Sequence, residues 1–341
     1  MSIANGRPWG AGGRLGRLMA ALILCNPWGA DVAAQALAAG ASTDSSPALV
    51  ADGAALDVHT HVASPALTEL FSVFAGEDLV PATADDLIAR LDEGNVGRAV
   101  ILSLGYLGAP VGWTDPANMV AENDFVAAEV ARHPDRLLGF CGINPAGEGA
   151  ADEIDRCLGL PGMVGVKFHL EGSGVNLTDP AHVAGLGAAF DRVAELDAPV
   201  LMHVADERGY SLDSQRFAAL SEILLAHPTV RVAHAHCANW IDDHGIETWL
   251  RLPRSGYNSE TSFVDVSACL RFYSDAPLSH RELLVWRLRK WGIGHVLFGS
   301  DYFAADGATP REALETLTLY PFTQEELDTI LSNDGSEWLG R

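Results

Sequence analysis

Half of the chain's 12 histidines lie at the ends of short apolar runs: His59, His61, His169, His203, His234 and His236. His59 and His61 are two residues apart in the extended run Leu56-Asp57-Val58-His59-Thr60-His61. Side chains at that spacing point to one face of a strand and can hold one ion together. His203 closes a later apolar run and Asp301 closes the last one. Together these four supply nitrogen and oxygen ligands suited to a divalent transition metal that keeps a position open for water. Five of the other six fall elsewhere: His133 and His227 each precede proline, His182 and His244 lie on helical patterns, and His295 opens a strand. These five are read as structural or solvent-facing.

Such side chains meet only if the backbone brings strand ends together. From Leu56 onward, apolar runs alternate eight times with longer amphipathic stretches. The runs predict strands at 56–61, 98–104, 137–143, 163–169, 199–204, 230–236, 262–268 and 295–301. Helical patterns follow near 83–94, 118–132, 149–158, 180–196, 211–226, 242–251, 278–291 and 310–331, the last broken at Pro321. Apolar strands alternating with helices predict an α/β fold with a parallel sheet covered by helices. Eight units of this length predict a (β/α)8 TIM barrel, whose strand ends converge on one mouth. A dinucleotide-binding sheet would need a glycine-rich turn after the first strand, where this chain has His-Thr-His.

The motifs carry a resemblance. The run from Leu56 to His61, Gly165-Val166-Lys167-Phe168-His169, Met202-His203, Ala233-His234, Gly299-Ser300-Asp301 and the closing Leu331-Ser332-Asn333 resemble, in barrel order, the amidohydrolase superfamily. They are most similar to its amidohydrolase-related branch, which includes aminocarboxymuconate-semialdehyde decarboxylase-like enzymes. The resemblance implies one divalent metal, zinc, held by His59, His61, His203 and Asp301. It implies catalysis by Asp301, which handles the proton of the metal's water, and by His234 as acid/base. His236, of the same strand parity, is the rival for that role. Lys167 and His169 occupy the strand that bears a metal-bridging lysine in binuclear relatives; here they are expected, with His236 and Arg208, to contact substrate or support the ligands. A homodimer is also implied.

Bound zinc lowers the pKa of its water from about 15.7 to about 7. That chemistry suits a hydrolase acting on a small amide, ester or lactone. The same constellation suits a decarboxylase or hydratase, and a different class of reading is a non-catalytic periplasmic barrel that binds a metal or ligand. The simultaneous presence of Asp301 and His234 favours an enzyme. Tyr106, Trp113, Arg208, Arg271, Tyr302 and Phe303 follow strand ends and are candidates to line the mouth.

Composition bounds the partners. With 22 Lys+Arg against 45 Asp+Glu and a net charge of −23, the chain is ill suited to nucleic acid or anionic lipid, which are bound through surplus basic charge. The substrate is therefore expected to be a small molecule. At the N-terminus, Arg7, Arg14 and Arg17 precede the apolar run Leu18 to Cys25 and the cleavage pattern Ala34-Gln35-Ala36. Residues 1–36 are expected to be a signal peptide, 37–55 a flexible lead-in and 56–341 the barrel. Export, to a periplasm, follows from that reading, without a stable membrane span. Cys141, Cys157, Cys237 and Cys269 show no C-x-x-C spacing and are expected to be buried thiols, with a Cys237–Cys269 bridge as the alternative in an oxidising compartment.

Overall fold

The computed structural model describes residues 54–76, 78–205, 214–239, 259–303 and 308–341. Eight parallel strands pair in sequence order: β1 Leu56–Thr60, β2 Arg98–Leu102, β3 Leu137–Ile143, β4 Met163–His169, β5 Val200–His203, β6 Val232–His234, β7 Ser262–Asp265 and β8 Val296–Leu297. The ring closes between β1 and the chain around β8. Val58 N–H donates to the Phe298 carbonyl at 2.9 Å, Asp301 N–H to the His59 carbonyl at 2.8 Å, and His61 N–H to the Tyr302 carbonyl at 2.8 Å. The architecture is the TIM barrel that the alternation predicts.

The helices are α1 Pro65–Ala75, α2 Ala84–Gly94, α3 Pro116–Arg132, α4 Ala150–Leu158, α5 Pro180–Glu195, α6 Ser214–Ala226, α7 Leu278–Trp291, α8 Pro310–Thr318 and α9 Gln324–Ser332. Thr83, Thr309 and Thr323 start α2, α8 and α9 with reciprocal capping boxes, satisfying first-turn N–H groups that have no partner within the helix. The pattern near 310–331 does break, into α8 and α9. Helix α1 was not among the expected elements. Its signals are local: Ser64 accepts from Leu67 N–H, Pro65 opens the first turn, and Gly76 ends it at φ 74°. The helix expected at 242–251 and the N-terminal leader lie outside the described residues. Among the described residues, no helix is long and apolar enough to cross a membrane.

Two apolar layers result. Leu56, Val58, Val100, Leu102, Phe140, Leu201 and Ala233 fill the barrel's interior. Their strand neighbours, such as Ile101, Val166, Met202 and Val232, pack outward under the helices. Trp338, from the closing turn Ser336–Leu339, plugs this interior. It is fully buried, its ring centroid is 5.0 Å from that of Phe140, and its indole donates to the Val200 carbonyl at 3.1 Å. Trp338→Ala is expected to cost about 3–5 kcal/mol, read as a lower urea midpoint. A loss below about 1 kcal/mol would mean the barrel closes without this plug.

The cysteines depart from the expectation of free thiols, and the alternative Cys237–Cys269 bridge is present. Cys141 of β3 is disulfide-bonded to Cys157 of α4, and Cys237 to Cys269, each with Cα atoms 6.1 Å apart. Barrel packing sets β3 against α4, and the segment after β6 against the one after β7, at a bridgeable distance. Sequence separation alone carries no such information.

Candidate metal centre and acid–base site

A bulge in β1 builds the first half of the site. Asp57 pairs with Ala99 but Thr60 with Ile101, so β1 spends one residue more than β2 over this stretch and its side-chain parity shifts. Leu56 and Val58 thereby fill the interior, and His59 and His61 still converge on the mouth. Each imidazole is oriented through Nδ1, which donates to the Asp265 carboxylate in His59 (2.9 Å) and to the Leu102 carbonyl in His61 (2.8 Å). Such partners fix the tautomer that leaves Nε2 free to ligate.

Asp301 completes the set. It follows β8 in the left-handed region, at φ 61°, a conformation that aspartate tolerates better than most residues. Its Oδ1 lies 3.3 Å from His59 Nε2 and 3.6 Å from His61 Nε2. Donors about 2.0–2.2 Å from one tetrahedral ion stand roughly 3.3–3.6 Å apart, so this spacing fits a divalent cation. The buried Oδ1 accepts no hydrogen bond among the described residues, as befits an oxygen kept for a ligand. Gly299 makes room: a Cβ there would meet the Cβ atoms of His59 at 3.0 Å and Ser267 at 3.1 Å.

The other expected residues divide. On β4, Val166 and Phe168 belong to the outer layer, which turns Lys167 and His169 inward. Lys167 is buried, with Nζ 3.5 Å from His59 Nε2. His169 stacks between Tyr106 (centroids 4.9 Å apart) and His203 (3.9 Å). His203 shares this cavity but is not in the converging His59, His61 and Asp301 set; its ring lies against His169 and meets His236 edge-on at 5.1 Å. Arg208 lies outside the described residues. Arg271 is exposed on the short turn Cys269–Phe272.

The two strand-6 candidates face different ways. Ala233 and Ala235 face the interior, and Val232 the outer layer. His234 alternates outward with Val232, its ring 5.5 Å from that of Trp291 on α7. Parity would send His236 outward too, but His236, Cys237 and Ala238 are all left-handed, at φ 55°, 53° and 59°. That run turns the His236 ring back to the mouth, 4.7 Å from the ring of His59. Left-handed non-glycine residues cost about 1–2 kcal/mol each and persist where surroundings over-determine them, often at active sites.

Three supporting residues were not singled out from sequence. Asp265 accepts from His59 Nδ1 through Oδ2, and from the backbone N–H groups of His236 (2.9 Å) and Ser267 (3.0 Å) through Oδ1. Ser267 Oγ donates to Asp265 and lies 2.9 Å from His236 Nδ1. Asp57 ties the β1–β8 seam, accepting from the N–H groups of His59 (3.1 Å) and Ser300 (3.0 Å), while burial pushes its pKa to about 7. A buried aspartate inside an apolar strand is itself a signal, because it needs a structural or chemical reason to be there.

The electrostatics favour ligation. Burial, reinforced by the Lys167 ammonium, pushes His59 and His169 well below the ordinary imidazole range. Burial does the same to His203 and lowers His236. Neutral imidazole is the form that binds metal. Burial alone would raise the Asp301 carboxyl, but His59, His236 and His61 outweigh it and hold the group below the usual carboxylate range.

Known proteins share the family and the fold. Residues 56–333 match the amidohydrolase family. A 2-amino-3-carboxymuconate-6-semialdehyde decarboxylase from Dictyostelium discoideum is 23% identical over 285 residues, covering 75% of this chain and 76% of the relative. Among solved structures, a probable 2-pyrone-4,6-dicarboxylic acid hydrolase from Acinetobacter baumannii, crystallised with citric acid, aligns with a TM-score of 0.60 at 20% identity. That alignment covers 84% of this chain and 100% of the other. A 5-carboxyvanillate decarboxylase from Novosphingobium aromaticivorans, with bound manganese and 3-methoxy-4-hydroxy-5-nitrobenzoic acid, aligns with a TM-score of 0.58 at 14% identity, covering 84% and 97%. The structural likenesses bear on the fold. The match over most of the chain, on a barrel whose mouth gathers His59, His61 and Asp301, shows that this protein belongs to the amidohydrolase family, as a metal-dependent enzyme of that superfamily.

Proposed function

We propose that this enzyme is a metal-dependent decarboxylase of a small unsaturated or aromatic carboxylic acid. The observation that carries the reading is Lys167, whose ammonium lies 3.5 Å from a metal-facing nitrogen of His59 inside the barrel. A buried cation beside a cation site favours an anionic ligand within reach of both, and a substrate carboxylate is one. A neutral amide, ester or lactone is not. The named relatives act on carboxylic acids, which supports the same substrate class. Hydrolysis is the second reading, favoured by the dicarboxylic acid hydrolase among the structural relatives.

His59, His61 and Asp301 would hold the cation, with His203 at its side. Zinc is proposed from the donor set; manganese is the metal of one relative. When bound, the ion supplies Lewis acidity toward the acid's oxygens. Lys167 anchors the leaving carboxylate. Phe71 and Phe303, in contact at 5.8 Å beside His61, offer an apolar wall for a ring. His236, with Nδ1 turned to the Ser267 carbonyl at 3.2 Å, takes a proton at Nε2 from water, whose hydroxide combines with the released CO2 as bicarbonate, and delivers it to the carbon that loses CO2. The carbon–carbon bond breaks, its electron pair stays on that carbon, and one proton replaces one CO2.

The test is CO2 release from a panel of hydroxybenzoates and unsaturated dicarboxylates by zinc- and manganese-loaded protein. Hydrolysis of esters or lactones without CO2 would overturn the reading. Lys167→Met is expected to raise KM for the carboxylic acid about 10- to 100-fold, the loss of one charge-assisted bond; Lys167→Arg should not restore it, because the fork does not fit a point-charge site. An unchanged KM in Lys167→Met would remove the lysine from substrate binding.

Export belongs to the same proposal. The charged and apolar leader supports it, as do the two disulfides, which persist in oxidising compartments. Loss of residues 1–36 from the mature protein, read by intact-mass spectrometry, is the check.

A further inference from the structure

We infer that the Cys237–Cys269 disulfide is a positioning clamp for His236, holding this histidine turned into the mouth. Reducing the bond then stops turnover without emptying the metal site. The inference rests on the acid–base role proposed for His236 and extends it to a covalent device outside the cluster.

The argument starts from strand parity. Continued as an extended strand, β6 would carry His236 to the outer layer beside His234, because residues two apart share a face. The left-handed run at 236–238 prevents this. It consists of histidine, cysteine and alanine, with no glycine to make it easy, so other contacts must hold it. Two are polar: Asp265 Oδ1 binds the His236 N–H, and Ser267 sits on His236 Nδ1. The third is covalent. Cys237 follows His236 directly and Cys269 stands two residues beyond Ser267, so the bond ties both sides of the His236–Ser267 contact. Ala268, between Ser267 and Cys269, is itself left-handed at φ 52°. Both arms of the clamp are thus in conformations that side chains disfavour, and the disulfide joins them. His61 and Asp301 are oriented apart from the clamp, by the Leu102 carbonyl and by the β1–β8 seam; His59 shares Ser267 with His236, but its bond to the Asp265 carboxylate does not involve either cysteine. Opening the clamp is therefore expected to free His236 while the cation stays in place. A dithiol reagent opens it: two electrons and two protons pass to the sulfurs, the S–S bond breaks into two thiols, and the reagent closes to its own disulfide.

The test compares oxidised wild type, dithiothreitol-treated wild type, Cys237→Ser/Cys269→Ser and the control Cys141→Ser/Cys157→Ser. Each is assayed for metal content, for kcat and KM with the carboxylic acid found above, and for diethyl pyrocarbonate labelling of His236 by peptide mass spectrometry. His236 is 5% exposed in the closed state, so slow labelling is expected of wild type and of the control. The Cys237→Ser/Cys269→Ser variant should keep its metal, label His236 at least about tenfold faster, and lose at least about tenfold in kcat with KM within about threefold. If no carboxylic acid is turned over by wild type, the proposed function fails, and the labelling still decides the clamp. Unchanged labelling in the variant overturns the inference, as do an unchanged kcat and alkylation of Cys237 and Cys269 in the exported, unreduced protein.

Discussion

Asp301→Asn is expected to empty the metal site and abolish turnover without unfolding the barrel. The carboxylate is the only anionic member of the His59, His61 and Asp301 set, and an amide oxygen in its place offers a dipole where a full charge is needed. The backbone will accept the change, since asparagine, like aspartate, tolerates the left-handed conformation found there. Metal per chain, read by elemental analysis after dialysis, should fall below about one tenth, with far-ultraviolet dichroism unchanged. Asp265→Asn makes the graded comparison. It weakens the partner that orients His59 and should cost about 10- to 100-fold in metal affinity or activity, the usual effect of an outer-sphere partner. Stoichiometric metal retained in Asp301→Asn would overturn the site as described.

The second large effect separates the two strand-6 histidines. His236→Asn, again compatible with left-handed backbone, is expected to lower kcat by about 10²- to 10⁴-fold, the range for a lost general acid/base, with metal content unchanged. His234→Leu should leave kcat within about threefold, because His234 faces Trp291 rather than the mouth. Its effect falls on pH dependence instead. Burial lowers the His234 pKa from 6.5 to about 3, so between those values the unfolded chain binds a proton that the folded chain refuses. Stability is fully present above pH 6.5 and declines as the pH drops toward 3. His234→Leu removes this contribution, an upper bound of roughly 4–5 kcal/mol, and flattens the acid limb of a urea-midpoint profile. A large kcat loss in His234→Leu with none in His236→Asn would restore His234, the residue implied by the family resemblance.

The barrel was legible because its determinants are local. Strand and helix patterns repeat along the chain, and nearly every expected element is found, among them the break near Pro321. The metal set was legible for a related reason: His59, His61 and Asp301 sit at strand ends, and a closed barrel brings strand ends together whatever the loops do. His203 and the buried Lys167 and His169 come to the same mouth by the same rule. The reaction was less legible, because hydrolysis and decarboxylation use one set of ligands and differ in what stands beside it.

What the sequence by itself determined is therefore the barrel, the family and the residue types at its mouth, all set by periodicity and by motifs in order along the chain. Tertiary structure decided which of those residues face inward. Parity counting holds only while the backbone stays extended. A one-residue bulge in β1 rescues His59 and His61, and three left-handed residues after β6 exchange His236 for His234. Both departures are held by partners far away in sequence: the seam with β8, Asp265, Ser267 and a disulfide that closes only when the segments after β6 and β7 pack side by side. Those contacts exist only in the folded chain, and they turn His236, not His234, toward the mouth.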